Sequence, residues 1–593
     1  MSSKILDLNI LKRSVYPLFI LAVAYLLFFS NDAKTIIAGI AIFLIGMVFM
    51  EDGFKLFSGG ILEKVLEKST NSVPKAIGTG FIATAIVQSS SLLTIVVISF
   101  LSAELITLSG AIGVIFGSNI GTTTTAWIVS SFGVKIKIAH YAMPMLIFGV
   151  LFRFKNDKSY QGIGNILVGL GFVFLGIGYM KEGFEAMKAG LDLAQFAIEG
   201  YLGVLVYISI GAIATVIIQS SSATMALIVT AVATGQIEYI NALSLAIGAN
   251  IGTTVTAIIG SLSSNFNGKR LAIAHFIFNM VTGFIAIVFL YQLADLVDVL
   301  AFSLGIGDED YAMKLALFHT IFNVIGVLVV APFTAKLVVF LEGLFKEKRK
   351  DISRARYLDK VVAEVPEAAI AALRKEIIHL YDNATEILSH ALSLHRHTYI
   401  GKGDEISKVI ESSVKQIDTN IDQFYKQKIK VLYGDIINYA TISQEKMSVE
   451  EQTKIYALKI ACRDIVETIK DVKELQKNIN RFMKSKNEYI RNEYNFLREG
   501  IAKTLDGIHT LRNSDDDFEI FAKIKVLQDD FNKLDLIGNT RVDKLIRENK
   551  IESKMTTSLI NDSAYAYSIV QKLINASTIL WIEDKEIREL GEE

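Results

Sequence analysis

Two stretches of this chain, IATAIVQSSS at 82–91 and IATVIIQSSS at 213–222, are nearly the same ten residues. Soon after each comes a second shared stretch, GSNIGTTTTAWI at 117–128 and GANIGTTVTAII at 248–259, and both pairs keep one offset of 131. Upstream, GMVFMEDGF at 46–54 pairs with GIGYMKEGF at 176–184. Self-similarity at a fixed period means one folding unit present twice. The copies run from about 40 to 155 and from about 170 to 290. Any fold for this chain must therefore be built from two equivalent halves plus the remaining C-terminal segment.

The surroundings of the repeat set its solvent. Residues 1–341 are dominated by apolar runs, whereas 342–593 are rich in Lys, Glu and Asp. A bilayer core of about 30 Å takes about 20 apolar residues per crossing helix. Segments 15–29, 33–50, 138–152, 162–180, 271–292 and 312–340 meet or approach that requirement. Residues 1–341 read as a polytopic membrane domain, and the basic, then apolar N-terminus as its first helix rather than a cleaved leader. A net charge of −1 offers no footprint for nucleic acid. The single cysteine, Cys462, has no internal disulfide partner and suits a reducing cytoplasm as a small buried apolar residue.

Each QSSS tetrad sits between apolar arms of twelve residues, 76–87 and 92–103 in the first copy. Such an arm is about 18 Å long, little over half the hydrocarbon thickness. Two arms of that length predict a re-entrant hairpin with its polar tip near mid-depth. Non-helical backbone is tolerated there only inside protein or beside water, so the tip should face a site. In the second signature, Gly117, Gly121 and the Thr122–Thr125 run predict a broken helix. Broken helices at matching places in two repeats point to a transporter's binding site.

Between Ala76 and Val134 the only charged side chain is Glu104, and between Gly200 and Gly268 it is Glu238. The expected site therefore consists of hydroxyls, amides and backbone. Those oxygens suit sodium, while helix N-termini freed at the breaks suit an anion. An anion travelling with cations fits a site without Lys or Arg. Supporting hydroxyls lie at Thr94 and Thr224, and buried polar pairs at His275/Asn279 and His319/Asn323 in AHFIFN and FHTIFN. A lone intramembrane histidine is most often a hydrogen-bonded structural residue. No P-loop, nucleophile elbow or zincin motif appears, so neither an enzyme nor a primary ATP-driven pump is expected.

With these motifs quoted, residues 35–340 closely resemble the type II sodium/phosphate cotransporter family. The resemblance implies an all-α membrane protein of two inverted repeats with facing re-entrant hairpins, importing inorganic phosphate with sodium as coupling ion and no organic cofactor. It places Gln88, Ser89, Ser90 and Ser91 with Gln219, Ser220, Ser221 and Ser222 in the substrate and sodium region. Asn119, Thr122, Thr123, Asn250, Thr253 and Thr254 carry the second motif. Electrogenic members have Asp after the first-copy motif His, where this chain has Tyr141 beside His140, so stoichiometry stays open. Another oxyanion, or a membrane phosphate sensor, is the alternative reading.

Residues 342–365 are a mixed-charge linker with excess Lys and Arg, which places the polar tail in the cytoplasm. From Pro366 to 593 the apolar spacing predicts six long helices in two three-helix bundles, the second helix carrying Ile410, Val414, Ile417, Ile421 and Phe424. That layout resembles the PhoU-like phosphate-response regulators. Metal-binding members use an acidic-x-x-x-Asp pattern, which Glu467 and Asp471 match, whereas Asp562 has only Ala566 four residues on. The expected partners are inorganic phosphate, sodium and the bilayer of the cytoplasmic membrane, without nucleic acid. A cytosolic partner for the tail and homo-oligomer assembly stay open.

Overall fold

The structure, a computed structural model, describes residues 30–58, 65–66, 68–133, 139–188, 198, 200–262, 264–345, 354–417, 420–514, 516–532 and 540–582. The expected first membrane helix at 15–29 lies outside them. Among the described residues every regular element is helical. The chain divides into two compact units, Met1–Lys346 and Glu347–Glu593.

In the first unit, seven helices among the described residues are long and apolar enough to cross a membrane. Among the described residues its first copy contains α1 (Asn31–Ser58), α2 (Val73–Val87), α3 (Ser90–Ser102), α4 (Leu108–Ile128) and α5 (Ala139–Arg153). The second copy supplies α6 (Lys158–Lys188), α7 (Gly200–Ile218), α8 (Ser221–Ala233), α9 (Tyr239–Ser261) and α10 (Phe266–Val288). Three more helices complete the unit, α11 (Leu290–Ser303), α12 (Tyr311–Val330) and α13 (Thr334–Leu344).

The repeats are inverted, and glycine contacts prove it. Equivalent helices α1 and α6 pack so closely that Gly39 meets Gly176, Gly46 meets Gly169 and Gly53 meets Gly162. As one number rises by seven the partner's falls by seven, so the two helices are antiparallel. A Cβ on Gly176 would lie 2.6 Å from the carbonyl oxygen of Gly39 and from the Phe43 nitrogen. Without side chains between them the backbones approach as small-residue membrane interfaces allow.

Both hairpins form. Helix α2 lies parallel to α4, since Ile77 lies against Gly117, and Thr84 against Ser118 and Gly121. Helix α3 returns to α4 through the short turn 103–107 and so runs opposite to it. The arms α2 and α3 are therefore antiparallel. In the second copy α7 lies parallel to α9, with Ile208 against Gly248 and Ala212 against Gly252, and α8 returns through 234–238. At 1.5 Å per residue α2, α3 and α8 measure about 20–22 Å, but α7 reaches about 28 Å, longer than its sequence equivalent.

The second signature is not a break. Helices α4 and α9 run unbroken through GSNIGTTTT and GANIGTTVT. Their threonines return hydroxyl protons to their own helix: Thr122 to Ser118 O (2.9 Å), Thr123 to Ile120 O (2.7 Å), Thr253 to Ala249 O (3.1 Å) and Thr254 to Ile251 O (2.8 Å). The glycines serve close approach instead. A Cβ on Gly117 would fall 1.9 Å from Ile77 O, and one on Gly248 would fall 2.0 Å from Ile208 O.

The second unit contains α14 (Pro366–Ala391), α15 (Lys430–Ser443), α16 (Val449–Phe482), α17 (Glu488–Leu511), α18 (Asp517–Asn532) and α19 (Ser553–Trp581). One apolar core joins all six, so the two three-helix sets do not enclose separate cores. The expected second helix is interrupted. Ile406–Ser412 is one short helix, Val414 lies exposed in non-helical chain, and helix resumes at Ile421, reaching α15 through a π-helical turn. Arg498 explains the gap: its buried guanidinium donates to the carbonyls of Ile410 (3.5 Å) and Ser413 (3.0 Å), groups a continued helix would occupy itself, and to that of Leu392 (2.9 Å) at the end of α14. Cys462 is buried, which pushes its thiol pKa up and keeps it protonated.

Gly176→Val tests the helix pair on which the inversion rests. The new methyls meet backbone rather than movable side chains, so it should cost about 1–3 kcal/mol or more. A thermal melt of the detergent-purified protein should show a clear loss of stability relative to wild type.

Candidate functional site

Each hairpin tip is built by the same two residues. Gln88 (φ 58°) and Gln219 (φ 61°) take the left-handed conformation that ends α2 and α7. The next residues, Ser89 and Ser220, are extended and cap α3 and α8, accepting from Leu92 N and Ala223 N at 3.2 Å each. The caps satisfy backbone donors that hydrocarbon could not, and leave two helix N-termini at the tips. Thr94 and Thr224 lie one turn in and donate to the carbonyls of Ser90 (2.7 Å) and Ser220 (3.0 Å).

The two tips meet at one residue. Thr125 Oγ1 lies 2.8 Å from Gln88 Oε1 and 3.2 Å from Ser222 Oγ, which joins the first hairpin, α4 and the second hairpin. Gln88 Nε2 also donates to Thr124 Oγ1 at 2.8 Å. Thr124 stands sixteen residues into α4, so the tip lies about 24 Å along a helix that continues further. The hairpin stops short of the end of α4.

The copies are not equivalent at the tip. Gln88 is only 6% exposed, whereas Gln219 is exposed and donates to Val216 O in its own helix. The cause is in the sequence: Val255 occupies the place of Thr124, so the second glutamine lacks that hydroxyl. The serines reverse the order. Ser221 and Ser222 are buried, while Ser89 and Ser90 are half-buried and Ser91 is exposed.

Other expected residues form separate groups. Asn250 Nδ2 lies 3.4 Å from Asn279 Oδ1 and 3.2 Å from Asn323 Oδ1, and Asn279 Nδ2 reaches Asn250 O and His275 Nε2 at 3.1 Å each. That cluster ties α9, α10 and α12 together inside the unit. His319 joins through its carbonyl, which accepts from Asn323 Nδ2 at 2.8 Å. Thr123 accepts from Thr320, which in turn accepts from Trp127 Nε1. Asn119 bonds Ile115 O in its own helix. The side chain of His140 lies outside the described residues.

The site also holds a charge that the motif windows missed. Glu51 of α1 accepts from Ser89 Oγ at 3.2 Å, so the first tip is not built from neutral groups alone. Thr124 and Thr125 were missed as well. The signal for Glu51 was an ionisable residue inside the repeated apolar stretch GMVFMEDGF. For Thr125 it was the hydroxyl shared with Thr256, four residues past the glycine of each GTT.

In the second unit, Glu467 and Asp471 do not form a metal cluster. Lys572 of α19 places its ammonium 3.1 Å from Glu467 and 2.9 Å from Asp471, filling the place a cation would take. Asp562 is buried, which raises its pKa, and it accepts from Tyr494 at 2.5 Å. Among the described residues no group of three or more His, Cys, Asp or Glu is placed to hold a metal.

Two inverted copies whose hairpin tips converge inside a membrane domain are matched by one family model, described as Na+/Pi-cotransporter, over residues 42–182 and 194–316. The membrane unit belongs to the Na+/Pi-cotransporter family. The chain is 26% identical over 424 residues to a putative inorganic phosphate export protein, YjbB, of Escherichia coli K12, covering 71% of this chain and 73% of that one. It is 29% identical to the uncharacterized protein YqeW of Bacillus subtilis, over 50% of this chain and 92% of that one. Over 87 residues it is 40% identical to the human sodium-dependent phosphate transport protein 2B, 14% of this chain and 12% of that one. No solved structure matches it. Both family-matched segments contain a complete hairpin, so the cotransporter signature covers both tips.

Thr125→Val keeps the shape of the residue that links the tips but removes its hydroxyl. Leaving Gln88 Oε1 and Ser222 short of a partner should cost about 1–3 kcal/mol. Uptake of the family's substrate should fall roughly tenfold, read as initial rate in proteoliposomes, since 1.4 kcal/mol is about a factor of ten.

Proposed function

We propose that this protein carries inorganic phosphate across the cytoplasmic membrane together with sodium, and that the paired hairpin tips are the binding region. The observation that carries the reading is the convergence of both tips on Thr125 with a serine-capped helix N-terminus in each. Helix N-termini favour an anion, and the hydroxyls and amides of Gln88–Ser91 and Gln219–Ser222 can serve an oxyanion and sodium together. Sodium offsets the phosphate charge, and inversion of the repeats offers two opposite ways to open the same site. An inward sodium gradient makes the net direction import.

The experiment is uptake of labelled phosphate by proteoliposomes with and without an inward sodium gradient. Gradient-dependent accumulation is expected; uptake indifferent to sodium rejects the coupling. Ser89→Ala with Ser220→Ala removes both caps, each worth about 1 kcal/mol, and should depress uptake at least tenfold while leaving the protein monodisperse. Similarity to YjbB, a putative inorganic phosphate export protein, favours a second reading, export. Efflux from preloaded vesicles that outpaces uptake under the same gradient supports it.

The tail, 366–593, acts in this reading as a cytosolic PhoU-like regulator. Its support is a core of its own. Truncation after residue 355 should leave sodium-driven uptake intact and abolish any change of cellular uptake with phosphate supply.

A further inference from the structure

Helix α1 passes the first hairpin tip with one ionisable side chain turned toward it. The two oxygens of Glu51 are used differently. Oε1 is held by Lys55 Nζ, one turn on, at 2.8 Å, and Oε2 accepts from Ser89 Oγ at 3.2 Å. The Glu51 side chain is 29% exposed, so the carboxylate beside Ser89 is not sealed off by the surrounding helices. In the second copy the matching residue is Lys181, so the repeat places no carboxylate at the equivalent position.

An ionised carboxylate can only accept hydrogen bonds. The other groups at this tip, the hydroxyls of Ser90 and Ser91 and the first-turn N–H groups of α3, can donate. Tetrahedral oxyanions of similar size all suit such donors. They differ at an acceptor. Phosphate at neutral pH retains at least one P–OH and can donate it to Glu51, whereas sulfate has none and would set lone pairs against a negative oxygen. A repulsive element of this kind is an efficient source of selectivity. Sites built to pair with a substrate O–H reject analogues lacking it by as much as roughly 10⁴-fold.

We propose that Glu51 determines specificity at the first hairpin tip, accepting the proton-bearing oxygen of the oxyanion and so admitting phosphate while excluding sulfate. This rests on the transport reading above and narrows its substrate to protonated oxyanions. Lys55 positions the carboxylate by holding the oxygen turned away from the tip.

The test uses the full-length protein in proteoliposomes under an inward sodium gradient, with labelled phosphate and labelled sulfate in parallel. In wild type, arsenate, which is protonated like phosphate, should compete with phosphate uptake, and a roughly hundredfold excess of sulfate should not, being well within the discrimination such pairing supplies. Effective competition by sulfate overturns the inference without any variant. Glu51→Gln replaces the acceptor-only group by one that can also donate, and the phosphate-to-sulfate uptake ratio should fall at least about tenfold. Glu51→Asp keeps an acceptor and should keep sulfate out. An unchanged ratio in Glu51→Gln overturns the inference, as does a raised KM for sodium with the ratio unchanged, which would make Glu51 a sodium ligand. Wild type that accumulates no phosphate removes the transport reading and this inference with it; sodium-driven phosphate uptake with unaltered selectivity removes the inference alone.

Discussion

Hydrocarbon cannot hydrogen-bond a broken helix, and the arrangement of the membrane unit stems from that constraint. Each hairpin turns on two residues, Gln88–Ser89 and Gln219–Ser220, whose backbone would be stranded in lipid. Serine caps satisfy part of the break, and Thr125 binds the first glutamine and the opposing Ser222. The tips thus depend on each other. A helix end that must be covered by protein, yet carries donors in excess, is also a place where an anion gains most.

Duplication supplied the two tips, and small departures from it made them unequal. Val255 in place of Thr124 leaves Gln219 without the clamp that buries Gln88. Ala249 in place of Ser118 leaves the buried Thr215 hydroxyl without the partner that Thr84 has. Glu51 faces the first tip, whereas its counterpart in the second copy is a lysine. Exact symmetry would give both tips equal environments. The two tips differ accordingly: the glutamine is buried in the first and exposed in the second, and the serines show the reverse.

Much of this was legible before the fold was known. The repeat, the hairpins and the glutamine–serine turns come from self-similarity and arm length, because short apolar arms around a polar tip leave few other solutions in a bilayer. The second signature misled. Glycine beside threonine reads as a break, but Gly117 and Gly248 exist because Ile77 and Ile208 press their carbonyls there. Close approach and helix breaking use the same residue, and only a neighbour tells them apart. In the tail, apolar spacing through 410–424 looked like continuous helix; Arg498, distant in sequence, takes the carbonyls at the interruption. Glu467 and Asp471 have the spacing of a metal pair, but Lys572 comes from another helix and sets its ammonium against both.

The chain by itself determined its solvent, its duplication and where its helices reverse, since hydropathy, period and cap chemistry are local and act on neighbours along the backbone. Which polar groups meet was decided only by tertiary structure. Thr125 became the junction of two hairpins, and Glu51 the charge at one tip, because antiparallel and parallel helix packing brought together residues 37 to 97 positions apart. Hydrogen bonds act over about 3 Å of space and are indifferent to distance along the chain.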